Sequence, residues 1–184
     1  MLYTRKGDGG TTKTFRCDQR ISKSSIIAEA LGALDEINSF LGLCKVKSKK
    51  EKFFVPNKIE AGQVIHDIQK NLFIVQAELA GASMSIDEEK VKEVENIVDR
   101  IEKELPPIKT FFISGGTELA VLFDTARTIS RSAERRVVGV TEEGKTPINQ
   151  FTLAYLNRLS SLLYALARLA NYKAGIKEEG PDYK

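Results

Sequence analysis

Residues 118–140, ELAVLFDTARTISRSAERRVVGV, decide the fold. Leu119, Leu122, Ala126, Ile129, Ala133 and Val137 recur at steps of three or four, and a helix of 3.6 residues per turn gathers such positions on one side. A one-sided apolar stripe on a long helix must be buried against other helices, so partners are expected elsewhere in the chain. Downstream, residues 148–173 carry Leu156, Leu159, Leu163, Leu166 and Ala170 at the same period, and Gly175 offers a stop. Upstream, Asp87 is placed to cap a helix that turns Val91, Val94, Ile97, Val98, Ile101 and Leu105 inward, and Pro106 and Pro107 end it. Residues 58–81 put Ile65, Ile68, Leu72, Val75 and Leu79 on one stripe, with His66 beside it. The first helix follows Ser24 and Ser25, repeats Ile27, Leu31, Leu34, Asn38 and Leu41, and ends in lysine-rich sequence. No segment shows sustained strand alternation. The pattern predicts an all-α fold, a five-helix antiparallel bundle. One domain is expected over 1–184, with the bundle at 22–175, a glycine-rich N-terminal segment at 1–21 and a polar tail at 176–184.

The 184 residues include 28 Lys and Arg against 25 Asp and Glu, two Cys, one His and no Trp. A chain of this length buries roughly 70% of its unfolded surface, so Cys17 and Cys44 need no structural job. Two cysteines without CxxC spacing and a single histidine exclude the common zinc sites. No Glu-x-x-His pattern surrounds His66, which argues against a di-iron bundle. The opening MLYTRKGDGG has no apolar signal core, and no uncharged run of about 18 residues occurs, so a cytoplasmic protein without membrane contact is expected. A net charge of +3, evenly spread, does not mark a nucleic-acid binder. The one dense basic patch, KVKSKKEK at 45–52, is either a solvated connection or a contact for an anionic partner.

Three features carry chemistry. In YTRKGDGGTTKTF (3–15), Gly7, Gly9 and Gly10 can turn backbone N–H groups toward an anion, while Lys6, Thr11 and Thr12 add a cation and hydroxyls. That is phosphate-cradle chemistry without a Walker A motif, although a loose terminus would read the same way. Arg127, Arg131 and Glu134 share one face of the fourth helix, followed by Arg135 and Arg136, and the planar arginine fork suits phosphate. On the fifth helix Asn157 and Arg158 interrupt the leucines, and Tyr164 and Arg168 continue a polar edge. These groups serve equally as a solvated face or a subunit contact. Asp35 sits among Gly32, Ser39 and Gly42, small residues that would let another helix approach and pair it with an arginine.

In order, YTRKGDGGTT, ALGALDEINSFLGL, LPPIKTFFISGG, ARTISRSAERRVV and YLNRLSSLLYALAR resemble the PduO-type corrinoid adenosyltransferases over nearly the whole chain. The resemblance implies a five-helix bundle in ferritin-like up-down packing, assembled as a homotrimer with active sites between subunits. It implies transfer of the 5′-deoxyadenosyl group of ATP to the cobalt of cob(I)alamin, of the cob(I)yrinic acid a,c-diamide adenosyltransferase type, with triphosphate leaving. ATP is the co-substrate, Mg²⁺ accompanies it, the corrinoid is the acceptor, and a corrinoid reductase is a possible partner. Thr4, Arg5, Lys6, Gly7, Thr11, Thr12 and Lys13 match the loop that closes over the triphosphate, and Lys23 a further phosphate lysine. Arg131, Glu134 and Arg135 match the nucleotide-binding helix and Asn157 its asparagine partner. Asp35 and Arg127 match an intersubunit ion pair, and Phe111 the aromatic that displaces the lower axial ligand.

The chain departs from that pattern in three places. Ser132 stands where a second consecutive arginine is frequent, Lys13 where glycine or serine is common, and Ser114 where proline is frequent before GG. The first two motivate an alternative of another class, a non-catalytic ATP- or cobalamin-binding sensory trimer. A basic interaction module built on 45–52 is a third.

Overall fold

The computed structural model describes residues 3–14, 19–110, 112–144 and 146–182. Five helices carry it: α1 (Ile26–Lys50), α2 (Ala61–Leu79), α3 (Glu88–Glu104), α4 (Glu118–Glu142) and α5 (Gln150–Lys173). Their starts are chemically fixed, because Ser25, Asp87, Thr117 and Asn149 each accept a backbone N–H of the first turn. Such caps contribute about 1 kcal/mol apiece. Two-residue strands, too short for any periodicity to reveal, add two antiparallel pairs: β1 (Thr11–Thr12) with β2 (Ile21–Ser22), and β3 (Phe54–Val55) with β4 (Ile59–Glu60). In the second hairpin Asn57 and Lys58 both turn through left-handed φ, 64° and 59°.

End-to-end contacts give the helix directions. Lys47 near the end of α1 meets Glu118 at the start of α4, and Glu29 at the start of α1 meets Arg136 near the end of α4. Glu78 closing α2 meets Thr152 opening α5, while Glu95 on α3 meets Arg158 on α5. The five helices therefore alternate up and down. One end of the bundle, called upper here, collects the end of α1, the β3–β4 hairpin, the start of α4 and the end of α5. The lower end collects the β1–β2 hairpin, the end of α2 and the start of α5.

The core follows the expected stripes closely on α2 and α5, where Ile65, Ile68, Leu72, Val75 and Leu79 are buried together with Leu156, Leu159, Leu163 and Leu166. On α4 the buried line is Leu119, Phe123, Ala126, Ser130, Ala133, Val137 and Val140, with Leu122 and Ile129 only flanking it. Likewise α1 buries Ala30, Ala33, Ile37 and Cys44, and leaves Ile27 and Leu31 partly covered. Both helices pack on two neighbours, so small residues mark the close approach and larger ones sit beside it. Cys44 is a fully buried core residue, and burial pushes its thiol pKa up to about 12.

At the lower end a carboxylate is sealed in. Glu78 accepts the backbone N–H of Asn149 at 2.7 Å and the hydroxyl of Thr152 at 2.5 Å, and Asn149 donates to Ser85 at 3.1 Å. The anion lies at the N-terminus of α5, where the helix dipole favours it.

Candidate functional site

At the upper end the loop after α3, the first turns of α4, the last turns of α5 and the C-terminal tail enclose a cleft of about 1040 Å³. Its α4 wall presents Asp124, Arg127 and Arg131, and its α5 wall Tyr164, Arg168 and Asn171. Asp124 holds Arg127 Nε at 2.6 Å and takes the Ser114 hydroxyl on its other oxygen, tying the loop to α4. Arg127 also lies 5.9 Å from the centre of the Tyr164 ring. Burial raises the Tyr164 pKa, so its hydroxyl stays a neutral donor at physiological pH.

Two α5 side chains one turn apart organise the mouth. Asn171 accepts the Thr117 N–H and donates to the Gly115 carbonyl, both at 2.9 Å. Gly116 between them has φ +96°, and a Cβ there would collide with the Asn171 amide, so only glycine fits. Arg168 is 5% exposed; its Nε and Nη2 donate to the two oxygens of Glu178 at 2.8 Å each, and Nη2 also reaches the Pro106 carbonyl at 3.0 Å. Its guanidinium stands 5.1 Å from the Phe112 ring centre. The bond to Glu178 raises its pKa further, fixing the charge.

Further down α4 the cleft passes into a row of polar groups. Glu134 accepts the Asn157 amide at 3.0 Å, joining two of the residues matched to nucleotide binding, and Asn157 accepts Arg158 Nη1 at 2.8 Å. The Ser132 hydroxyl accepts from Arg135 Nη2 at 3.4 Å and Arg136 Nη1 at 3.3 Å, linking the two neighbouring arginines. Arg131 and Arg135 remain exposed. The row ends where Arg136 approaches Glu29, beside the β1–β2 hairpin.

That hairpin groups the N-terminal residues. Gly10 accepts the Lys23 N–H at 2.9 Å, the Lys23 ammonium stands over Gly7, and Thr11 pairs with Ser22. Arg20, which the sequence reading passed over, clamps Thr11 through its hydroxyl and carbonyl at 2.7 Å each. Thr4 accepts the Lys6 N–H, and Arg5 adopts φ 59°. Thr4, Arg5, Lys6 and Lys13 are exposed, and Thr12 is half-buried in β1.

Asp35 and Arg127 are not brought together within one chain. Arg127 is engaged by Asp124, while Asp35 is exposed on α1 and borders a shallow groove with His66 and Phe73 of α2. Phe111 lies outside the described residues, as does Cys17. Among the described residues no three His, Cys, Asp or Glu side chains gather as a metal site, and no helix is long and apolar enough to cross a membrane. Asp124, Asn171 and Glu178 were not legible as site residues. The available signal was Arg168 and Asn171 themselves, two polar residues inside an otherwise apolar run of α5.

Residues 2–170 match the family model described as cobalamin adenosyltransferase. The chain is 37% identical over 180 residues to the corrinoid adenosyltransferase PduO of Citrobacter freundii, covering 94% of this chain and 50% of that protein. It is 37% identical over 179 residues to the corrinoid adenosyltransferase of Bacillus subtilis, covering 95% and 89%. The chain thus spans about half the length of the PduO relative and most of the Bacillus one. Among solved structures, a phenylalanine-to-histidine variant of the PduO-type ATP:corrinoid adenosyltransferase from Lactobacillus reuteri, complexed with cobalamin and ATP, superposes with a TM-score of 0.87 at 29% identity, covering 100% of this chain and 97% of that one.

Proposed function

The chain belongs to the cobalamin adenosyltransferase family, and on that premise we propose that it transfers the 5′-deoxyadenosyl group of ATP to the cobalt of cob(I)alamin or a related corrinoid. The observation that carries the reading is the row Arg127, Arg131, Glu134 and Arg135 on α4, joined by Asn157 from α5 and running straight into the upper cleft. The cobalt(I) electron pair forms the cobalt–carbon bond at C5′, and the carbon–oxygen pair leaves with triphosphate. No general base is needed, in keeping with a chain whose one histidine, His66, is exposed on α2 and away from the row.

The protein's part is charge and placement. Arg131 and Arg135, with Lys6, Lys13, Lys23 and the N–H groups around Gly7 in the N-terminal loop, stabilise the charge that grows on the leaving triphosphate. Magnesium fits as a nucleotide-borne ion, since it typically keeps several waters and takes phosphate oxygens with only one or two carboxylates. Glu134, already turned by Asn157, is the carboxylate available beside Arg131 and Arg135. The cleft takes the corrinoid, with Phe111 as the apolar group that removes its lower axial donor. Displacing that donor makes the cobalt easier to reduce.

The assembly is a homotrimer with sites between subunits, where Asp35 of one copy meets Arg127 of the next. Supporting it, Leu43, Val46 and Phe73 on the α1–α2 side are 57–66% exposed, an apolar face that association would cover. A reductase supplies the cobalt(I) state, and the reaction runs in the cytoplasm.

The test is an anaerobic absorbance assay with chemically reduced cobalamin, ATP and Mg²⁺, comparing wild type with Arg131→Ala. Adenosylcobalamin and triphosphate from wild type and not from the variant are expected. No product from wild type despite bound ATP would overturn the enzyme reading in favour of a nucleotide-sensing trimer.

A further inference from the structure

Arg168 is a buried cation in the wall of the cleft, yet its partner is not part of the bundle. Glu178 rides on the tail after α5, and the family match, which includes Arg168, stops at residue 170. The tail's backbone is tied by the Ile176 N–H on the Asn171 carbonyl at 2.9 Å and the Glu179 carbonyl on the Ile113 N–H at 2.8 Å. Glu178 and Pro181 are the half-buried members of residues 176–182; Ile176, the tail's large apolar side chain, is 43% exposed. Among the described residues of the tail, no buried apolar side chain anchors it.

The arginine cannot easily be left alone. If the tail lifts, its guanidinium keeps only the Pro106 carbonyl and the Phe112 face, and removing the carboxylate from such a pair is strongly unfavourable. A second anion with two oxygens at carboxylate or phosphate spacing fits the same fork, because arginine recognises both in a planar, two-bond geometry. On the facing α4 wall Arg131 adds a further cation beside the Arg127–Asp124 pair.

We infer that the Arg168 fork is an anion subsite of the cleft, held by Glu178 as an internal stand-in that an anionic group of the bound corrinoid displaces. The inference rests on the corrinoid reading above and sharpens it, because it makes the acceptor's negative charge a determinant of binding. Two corrinoid groups share the required chemistry: the phosphodiester of the nucleotide loop and a side-chain carboxylate. Exchange of one anion for another leaves the buried charge compensated throughout, while the tail is released to solvent.

The experiment measures dissociation constants for three corrinoids on the full chain. Cobalamin carries the phosphodiester, a corrinoid monocarboxylate lacking the nucleotide loop carries only the carboxylate, and cobinamide carries neither. Wild type, Glu178→Gln and Arg168→Lys are compared, the last keeping the charge and losing the fork. Glu178→Gln is expected to tighten the anion-bearing corrinoid about tenfold, the scale of one charge-assisted hydrogen bond, with cobinamide unchanged. Arg168→Lys is expected to erase most of that preference. Whichever of cobalamin and the monocarboxylate responds identifies the source of the anion. Hydrogen exchange at the Ile113 N–H reports the tail directly, and should accelerate when that corrinoid binds wild type. Equal changes for all three ligands in Glu178→Gln, or an Ile113 amide that stays protected in the complex, would overturn the inference while leaving corrinoid binding intact. Failure of every corrinoid to bind wild type would remove the functional reading and this inference together.

Discussion

α5 begins and ends on a buried charge, and the two are held differently. At its lower end Glu78 is satisfied by the N–H of Asn149 and the hydroxyl of Thr152, groups that belong to the helix start itself. At its upper end Arg168 is satisfied by Glu178, which belongs to an exposed tail. Each sign suits the helix end it occupies, the anion near the N-terminus and the cation near the C-terminus. The difference lies in the partner's own attachment. Partners embedded in a helix start leave only with the helix, so the lower end serves stability. A partner on a tail can leave by itself, so the upper end can serve binding.

The largest effect expected to test this division is on the open side. Arg131→Ala should lower turnover with ATP and cob(I)alamin at least about 100-fold, as several charge-assisted bonds to phosphate disappear together. Its melting temperature should hardly move, because Arg131 is exposed. A melt that collapses while activity persists would invert the comparison. Glu78→Ala is the mirror case: urea denaturation should show a loss of about 2–3 kcal/mol, from a buried cap N–H and hydroxyl left without an acceptor. ATP affinity of the folded fraction should match wild type, and an affinity change would show the lower end to be coupled to the site.

Gly116→Ala should come next, costing about 1–2 kcal/mol for a left-handed position and the displaced Asn171 amide. Because that turn frames the cleft, corrinoid affinity should fall with no matching loss of ATP affinity. Equal losses of both would mean that the loop acts on the whole fold. Cys44 lies in the core between the two ends and gives the smallest effect near neutral pH, where none is expected. Its folded pKa is raised to about 12 from an ordinary 9.0, so the folded state keeps a proton that the unfolded chain sheds. Stability should therefore be fully present below pH 9 and fall above it, at up to about 1.4 kcal/mol per pH unit. Cys44→Ala should flatten this alkaline limb, and an unchanged limb would assign it to other groups.

The sequence made α2 and α5 legible because long aliphatic residues occupy one side of each. It put α1 and α4 slightly out of phase for a physical reason: Ala30, Ala33, Ala126 and Ser130 are buried by close approach, and hydropathy gives such small residues little weight. The resemblance supplied Arg131, Glu134, Arg135 and Asn157, and the hydrogen bond between Glu134 and Asn157 gives that set a geometry. In the sequence Arg168 is one more polar edge residue of α5. Its burial depends on a carboxylate ten positions on, past a glycine turn, and no helical period connects the two. Asp35 and Arg127 differ again, since the pair proposed between copies would leave no trace in one chain's contacts.

The tail's position also governs how the protein should be handled. A module joined after Lys184 starts seven residues from Glu178, within about 25 Å even at full extension. At that tether length its local concentration at the cleft mouth reaches the millimolar range, enough for a weakly sticky tag to compete with a ligand. The other terminus is no safer, because it leads into the β1–β2 hairpin and the proposed phosphate loop. Surface attachment is better made through Ser83, exposed in the connection between α2 and α3 at the opposite end of the bundle from the cleft.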